Sequence, residues 1–138
     1  MKKILLVSQS VKENSAVGEK VKEAAKNVGF QIDFEEHPQD VLGKARSESF
    51  YKEYELVLLS GAFRGKPPKR IAGADGLTLV EKLKAWDPEN LITIVMISCK
   101  IHYNNMGIKK GADGAIPSRY LAEDLMDKDG VIGQAMRA

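Results

Sequence analysis

Residues 91–97 read Leu-Ile-Thr-Ile-Val-Met-Ile, seven positions with no charge and a single polar side chain. The run is far too short to cross a membrane, which takes about 18–20 apolar residues. It fits a strand buried on both faces. Such a strand belongs to a parallel sheet sandwiched between helices, because parallel neighbours are joined by crossovers that cover the sheet. Lys2 to Val7 and Leu56 to Leu59 are shorter runs of the same kind, Phe30, Ile32 and Phe34 alternate with polar residues, and Gly114 to Ile116 makes a brief fifth strand. Being the longest, the run at 91–97 is expected to lie most centrally.

Helical patterns separate these strands. Val17, Val21, Ala24 and Val28 keep the 3–4 spacing of a buried stripe, and Gly29 marks its stop. The helix starts at Ser10-Val11-Lys12-Glu13, which fits a capping box, or at Ser15. Val41, Leu42 and Ala45 predict a second helix after Pro38. Leu77, Val80, Leu83 and Lys84 predict a third that ends near Trp86-Asp87-Pro88. A short fourth is expected over Asn104 to Lys110. A fifth begins with Leu121 and Leu125 and continues through Val131, Ile132 and Met136, with Gly130 kinking or splitting it. The sum is (βα)₅, an α/β chain with right-handed crossovers and helices on both faces of a parallel sheet.

The 138 residues fit one domain, 1–138, with no repeat, linker or low-complexity tract. Lys plus Arg is 21 against 19 for Asp plus Glu, a balance of +2 that gives no footing for nucleic acid. The apolar stretch after Met1-Lys2-Lys3 is four residues, shorter than the ~7–15 of a secretory signal. Cys99 is the single cysteine, so no internal disulfide forms and a reducing, cytoplasmic location is expected, without membrane attachment.

In a doubly wound sheet the ligand crevice lies beyond the carboxyl ends of the strands. The residues there are Ser8-Gln9-Ser10, Ser60-Gly61, Ser98-Cys99-Lys100 and Pro117-Ser118-Arg119. They make a pocket of hydroxyls with almost no charge.

Taken with the segments Lys3-Ile4-Leu5-Leu6-Val7, Glu55-Leu56-Val57-Leu58-Leu59, Asp75-Gly76-Leu77-Thr78-Leu79-Val80, Ile94-Val95-Met96-Ile97-Ser98 and Lys110-Gly111-Ala112-Asp113-Gly114, the chain resembles a response-regulator receiver domain from end to end. The resemblance implies the CheY-like, flavodoxin-like fold, a five-stranded parallel sheet of order 2-1-3-4-5. It implies a part in two-component signal transduction or a phosphorelay. The functional residues of the family do not carry over. Where the family has two magnesium-binding acids after the first strand, this chain has Ser8 and Gln9. The phosphoacceptor aspartate is replaced by Ser60 and the lysine after the fifth strand by Ser118. The hydroxyl after the fourth strand is kept as Ser98. Arg119 stands in place of the usual proline and Ala115 in place of the switch aromatic.

Aspartyl phosphorylation needs a carboxylate nucleophile and a metal to neutralise the transferring group. A serine hydroxyl needs an adjacent base, and neither His37 nor His102 is placed for that role. The chain is therefore expected to be a degenerate pseudo-receiver, not an enzyme, without magnesium or another cofactor, that acts by binding protein partners such as a signalling protein or an effector domain. Two alternatives stand beside this. One is a small anion- or ligand-binding flavodoxin-like domain, with an anion among Ser8, Ser60 and Ser98. The other is a divergent receiver phosphorylated at an unexpected site through Asp33 or Asp75.

Two surfaces are candidates for partners. The loop at 61–74 is longer than the family shows. It carries Arg64, Lys66, Lys69 and Arg70 around two prolines, four cations without an acid, which suits an acidic partner or an anion held over the pocket. Tyr103, Met106, Ala115 and Tyr120 fall on the face of the fourth helix, fifth strand and fifth helix, which receiver domains use for partners or dimers. Cys99 and His102 have the spacing of half a zinc site, but a structural site wants ~4 ligands and no second half exists. Glu123, Asp124, Asp127 and Asp129 read as the solvated face of the last helix.

Overall fold

The computed structural model describes residues 3–61, 63 and 76–137. The sheet has five parallel strands in the order β2-β1-β3-β4-β5: β1 (Lys3–Val7), β2 (Gln31–Glu35), β3 (Tyr54–Leu59), β4 (Thr93–Met96) and β5 (Gly114–Ala115). The helices are α1 (Ala16–Asn27), α2 (Pro38–Lys44), α3 (Glu48–Glu53), α4 (Gly76–Trp86), α5 (Ile101–Lys109), α6 (Leu121–Met126) and α7 (Val131–Arg137). A 3₁₀ turn, Ser118–Tyr120, leads into α6. This is the (βα)₅ sandwich that the alternation predicts.

Period-two alternation splits the core into two layers. Leu5, Val7, Val57, Leu59, Ile94 and Met96 point to one face, where α2, α3 and α4 cover them through Val41, Phe50, Leu79, Val80 and Leu83. Ile4, Leu6, Leu56, Leu58 and Val95 point to the other, under Val21, Ala24 and Ala25 of α1, Leu121 and Leu125 of α6 and Ile132 of α7. Because both faces are covered, β1, β3 and β4 are buried along almost their whole length.

The details correct several sequence expectations. The central strand is β3, not β4, which lies one place from the edge and is ordered as strand over only four residues. Strand β5 is two residues long and does not include Ile116. The buried stripe of α1 is Gly18, Val21, Ala24 and Ala25; Val17 and Val28 are exposed. Gly18 is buried because the loop before the helix crosses it, with the Lys12 carbonyl where a Cβ would stand. Ser15 caps this helix by accepting from the Gly18 N–H at 3.0 Å, so the start lies there and not at Ser10. Helix α3 is an addition to the expected pattern, since its six residues are too few to show a periodicity. At Gly130 the last helix is split in two. Asp124 bridges the break, its carboxylate accepting from the N–H groups of Val131 and Ile132, both at 2.9 Å, so it is a cap and not merely a solvated charge.

No helix among the described residues is long and apolar enough to cross a membrane.

Candidate functional site

The backbone ladder continues one residue beyond the strands and sets the pocket. The Ser8 N–H donates to the Glu35 carbonyl, Ser60 N–H to Val7, Ile97 N–H to Leu59, and Ile116 N–H to Met96, at 2.9–3.0 Å. Three strand-end serines, Ser8, Ser60 and Ser98, are thereby brought side by side and are 1%, 9% and 7% exposed.

Their hydroxyls are used within the protein. Ser8 Oγ accepts from the N–H groups of Ser10 (3.2 Å) and Val11 (3.1 Å) and from the Ser60 hydroxyl (3.1 Å), and lies 3.2 Å from Ser10 Oγ. Ser8 is thus the acceptor that closes the turn after β1. Ser98 Oγ accepts from the Gly61 N–H at 2.6 Å. Two glycines allow this closeness. A Cβ on Gly61 would stand 2.7 Å from Tyr103 Cβ and 3.2 Å from Ser98 Oγ, and a Cβ on Gly76, the first residue of α4, would stand 1.8 Å from the Ser60 carbonyl oxygen. The end of β3 is therefore covered by the start of α4 on one side and the first turn of α5 on the other.

Ser118 opens the 3₁₀ turn and is half-buried; among the described residues no hydrogen bond joins it to Ser8, Ser60 or Ser98. Gln9 follows Ser8 and is half-buried, in a turn that Ser8 closes. Arg64, Lys66, Lys69, Arg70 and Asp75 lie outside the described residues. Asp33 is mid-strand in β2, where it accepts from the Tyr54 hydroxyl at 2.6 Å and pairs with Lys3 at 3.6 Å. Tyr54 begins β3 and Ser60 follows its end, so this carboxylate is committed at the far end of the sheet and is not an acid of the pocket. Cys99 is exposed, and among the described residues no three His, Cys, Asp or Glu side chains are grouped to hold a metal.

Among the described residues, the groups with shifted acidity also lie away from the hydroxyls. Burial, then the hydrogen bond to Asp33, holds Tyr54 well above the ordinary tyrosine range. The Glu53 hydrogen bond and the nearby Asp33 charge raise Lys3, and the Glu35 contact raises Lys44. A cleft of about 460 Å³ opens at Ser8 toward β2, lined with it by Lys12, Glu13, Ser15, Phe34 and Glu36. A larger one, about 900 Å³, lies between α1 and the start of β2.

On the candidate partner face, Met106 and Tyr120 are exposed, with the Arg119 guanidinium 4.7 Å over the Tyr120 ring. Ala115 is half-buried. Tyr103 differs from expectation: its Cβ lies against Gly61, and its ring stacks at 4.1 Å on His102. Ile101, at 75% exposure, and Ile108 are further apolar side chains exposed on α5.

Sequence reasoning missed Asn104. It is 4% exposed, its Oδ1 accepts from the Ser98 N–H at 2.9 Å, and its Nδ2 donates to the carbonyls of Ser98 (3.0 Å) and Ile116 (3.3 Å). A polar residue three before Gly107, on the side of the helix that faces the sheet, was the available signal.

No family profile matches this chain, and no curated protein matches its sequence. Solved structures do match its fold. The BeF3-activated receiver domain of DrrB superposes with a TM-score of 0.67 at 16% identity, over 100% of this chain and 99% of that one. The receiver domain of NtrX from Brucella abortus gives 0.66 at 21% identity, over 98% of each chain. A CheY-like receiver domain protein from Methanospirillum hungatei gives 0.61 at 19% identity, over 100% and 99%. Against longer NtrX chains the match spans 27% of their length. The fold is the CheY-like receiver fold.

Proposed function

We propose that this chain is a receiver-fold module of two-component-type signalling that works by binding a protein partner and does not run the aspartyl-phosphate cycle. The observation that supports it is the pocket at the strand ends. Ser60 stands where the resemblance places the phosphoacceptor, and its hydroxyl is spent on Ser8. Attack on phosphorus by a serine requires a base, and its hydrogen-bond partner is another hydroxyl. The donor set does not fit magnesium, which takes hard and usually anionic oxygens in octahedral geometry: Ser8, Gln9 and Ser60 offer no charge, and Ser8 Oγ is already hydrogen-bonded from three sides. Buried hydroxyls that satisfy one another in this way also speak for the interaction module over an anion-binding domain. The module is cytoplasmic, takes no cofactor and binds no nucleic acid.

The test is intact-mass spectrometry after incubation with acetyl phosphate and magnesium, with a phosphorylatable receiver as positive control. The proposal expects the mass of this chain unchanged while the control gains one phosphoryl group. An acid-stable or hydroxylamine-labile phosphoryl adduct on this chain would overturn it.

A further inference from the structure

We propose that Asn104 is a clasp that fastens α5 to the ends of β4 and β5, so that the face these elements form is held in one preset position. Its amide fills three hydrogen-bond positions at once. It captures both the N–H and the C=O of Ser98, the second residue beyond β4, and the carbonyl of Ile116, the residue after β5. The groups are buried, so they have no water to turn to when the clasp opens.

Residues on either side of Asn104 add attachments to the ends of β3 and β4. Tyr103 packs on Gly61 beyond β3, and Gly61 donates to Ser98 Oγ. At Gly107 the Met96 side chain occupies the space a Cβ would need, its Cγ 2.4 Å from that position. The segment Tyr103–Gly107 is thus joined to the ends of β3, β4 and β5 within five residues. The opposite end of β5 is closed by a second side chain. Asp113 accepts from the Ile94 N–H at 2.9 Å and is held by Lys84 at 2.9 Å. A strand of two residues would otherwise be held by few ladder bonds; these two clamps make β4, β5 and α5 one block.

A switch needs an element with two arrangements of similar free energy. Displacing α5 here strands one buried donor and two buried acceptors together, which removes the second arrangement. The inference is independent of whether the pocket takes a phosphoryl group. A pocket that became phosphorylated would defeat the proposed function and leave the clasp intact, and a mobile α5 would defeat the clasp and leave the proposed function intact.

Amide relaxation dispersion and hydrogen exchange test it, on the wild type first and then on Asn104→Ala. In the wild type, Gly61, Ser98, Ala115 and Ile116 are expected to give flat dispersion on the μs–ms scale. In the variant, exchange broadening is expected at Ser98 and Ile116. Protection at Ser98 is expected to fall by about tenfold more than at Leu58, the measure of global opening, as the loss of one net hydrogen bond requires. Dispersion at these residues in the wild type overturns the clasp, and so does an equal loss of protection at Ser98 and Leu58. Should Asn104→Ala fail to fold, the wild-type dispersion decides alone.

Discussion

Replacing Ser8 with alanine should damage the fold far more than replacing Ser60, although the two hydroxyls share one hydrogen bond. Ser8 Oγ is the acceptor for the buried Val11 N–H and for the Ser60 hydroxyl. Ser8→Ala leaves both without a partner, at about 1–3 kcal/mol for each buried group, or roughly 2–4 kcal/mol together. Ser60→Ala removes only a donor. Ser8 Oγ keeps the N–H groups of Ser10 and Val11, so the cost is about 1 kcal/mol or less. The void left by one oxygen is common to both and cancels in the comparison. Urea unfolding followed by circular dichroism reads the difference. With a slope of about 2 kcal/mol per molar, Ser8→Ala should move the midpoint down by roughly 1–2 M and Ser60→Ala by less than about 0.5 M. Equal shifts, or a larger one for Ser60→Ala, would refute the reasoning, because Ser60 would then have a partner or role that this network does not contain.

Gly76→Ala should cost about 3 kcal/mol or more, since its Cβ would meet the Ser60 backbone, which has no flexible end to move aside, whereas Gly43→Ala, with open space around it in α2, should be neutral to stabilising by about 0.5–1 kcal/mol; paired thermal melts check this. Asp124→Ala should cost about 1–2 kcal/mol and lower hydrogen-exchange protection at Ile132 more than at Leu121, because two N–H groups of α7 lose their acceptor. Tyr54 holds its proton more tightly folded than unfolded, so its stabilising contribution is complete below the ordinary tyrosine pKa of about 10 and is lost as pH rises beyond it. The wild type should therefore lose stability from about pH 10 upward more steeply than Tyr54→Phe, as read by denaturant midpoints across that range.

The architecture was legible because the strands announce themselves by burial. Leu5, Leu58 and Val95 sit in uncharged runs that only a doubly covered sheet requires, and their alternation with amphipathic helices leaves little choice of topology. Length misled where it was used for position. The run at 91–97 outlasts β4 because it takes in an exposed Leu91 and a buried Ile92, whose N–H groups donate to Asp87, and Ile97, which continues the ladder past the strand, and not because β4 is central. The stripe of α1 is displaced because Gly18 is drawn in under the Lys12 carbonyl while Val17 beside it is left exposed, and because Val28 is the residue after the helix. At the site, the topology alone put Ser8, Ser60 and Ser98 together. What it could not give was their partners. The hub role of Ser8 and the turn of Tyr103 onto Gly61 depend on backbone groups, which carry no mark in the sequence, and the spacing of Asn104 from Gly107 hints at a buried polar side chain without naming the strand ends it grips.

The most direct measurement of the central claim is an amide-NMR titration with magnesium followed by beryllofluoride, a mimic of the acyl phosphate. The account predicts flat traces at Ser8, Ser60 and Ser98. Saturable shifts at these residues that propagate to Ala115 and Tyr120 would contradict it, for they would mean that the pocket still senses a phosphoryl group and passes the signal on.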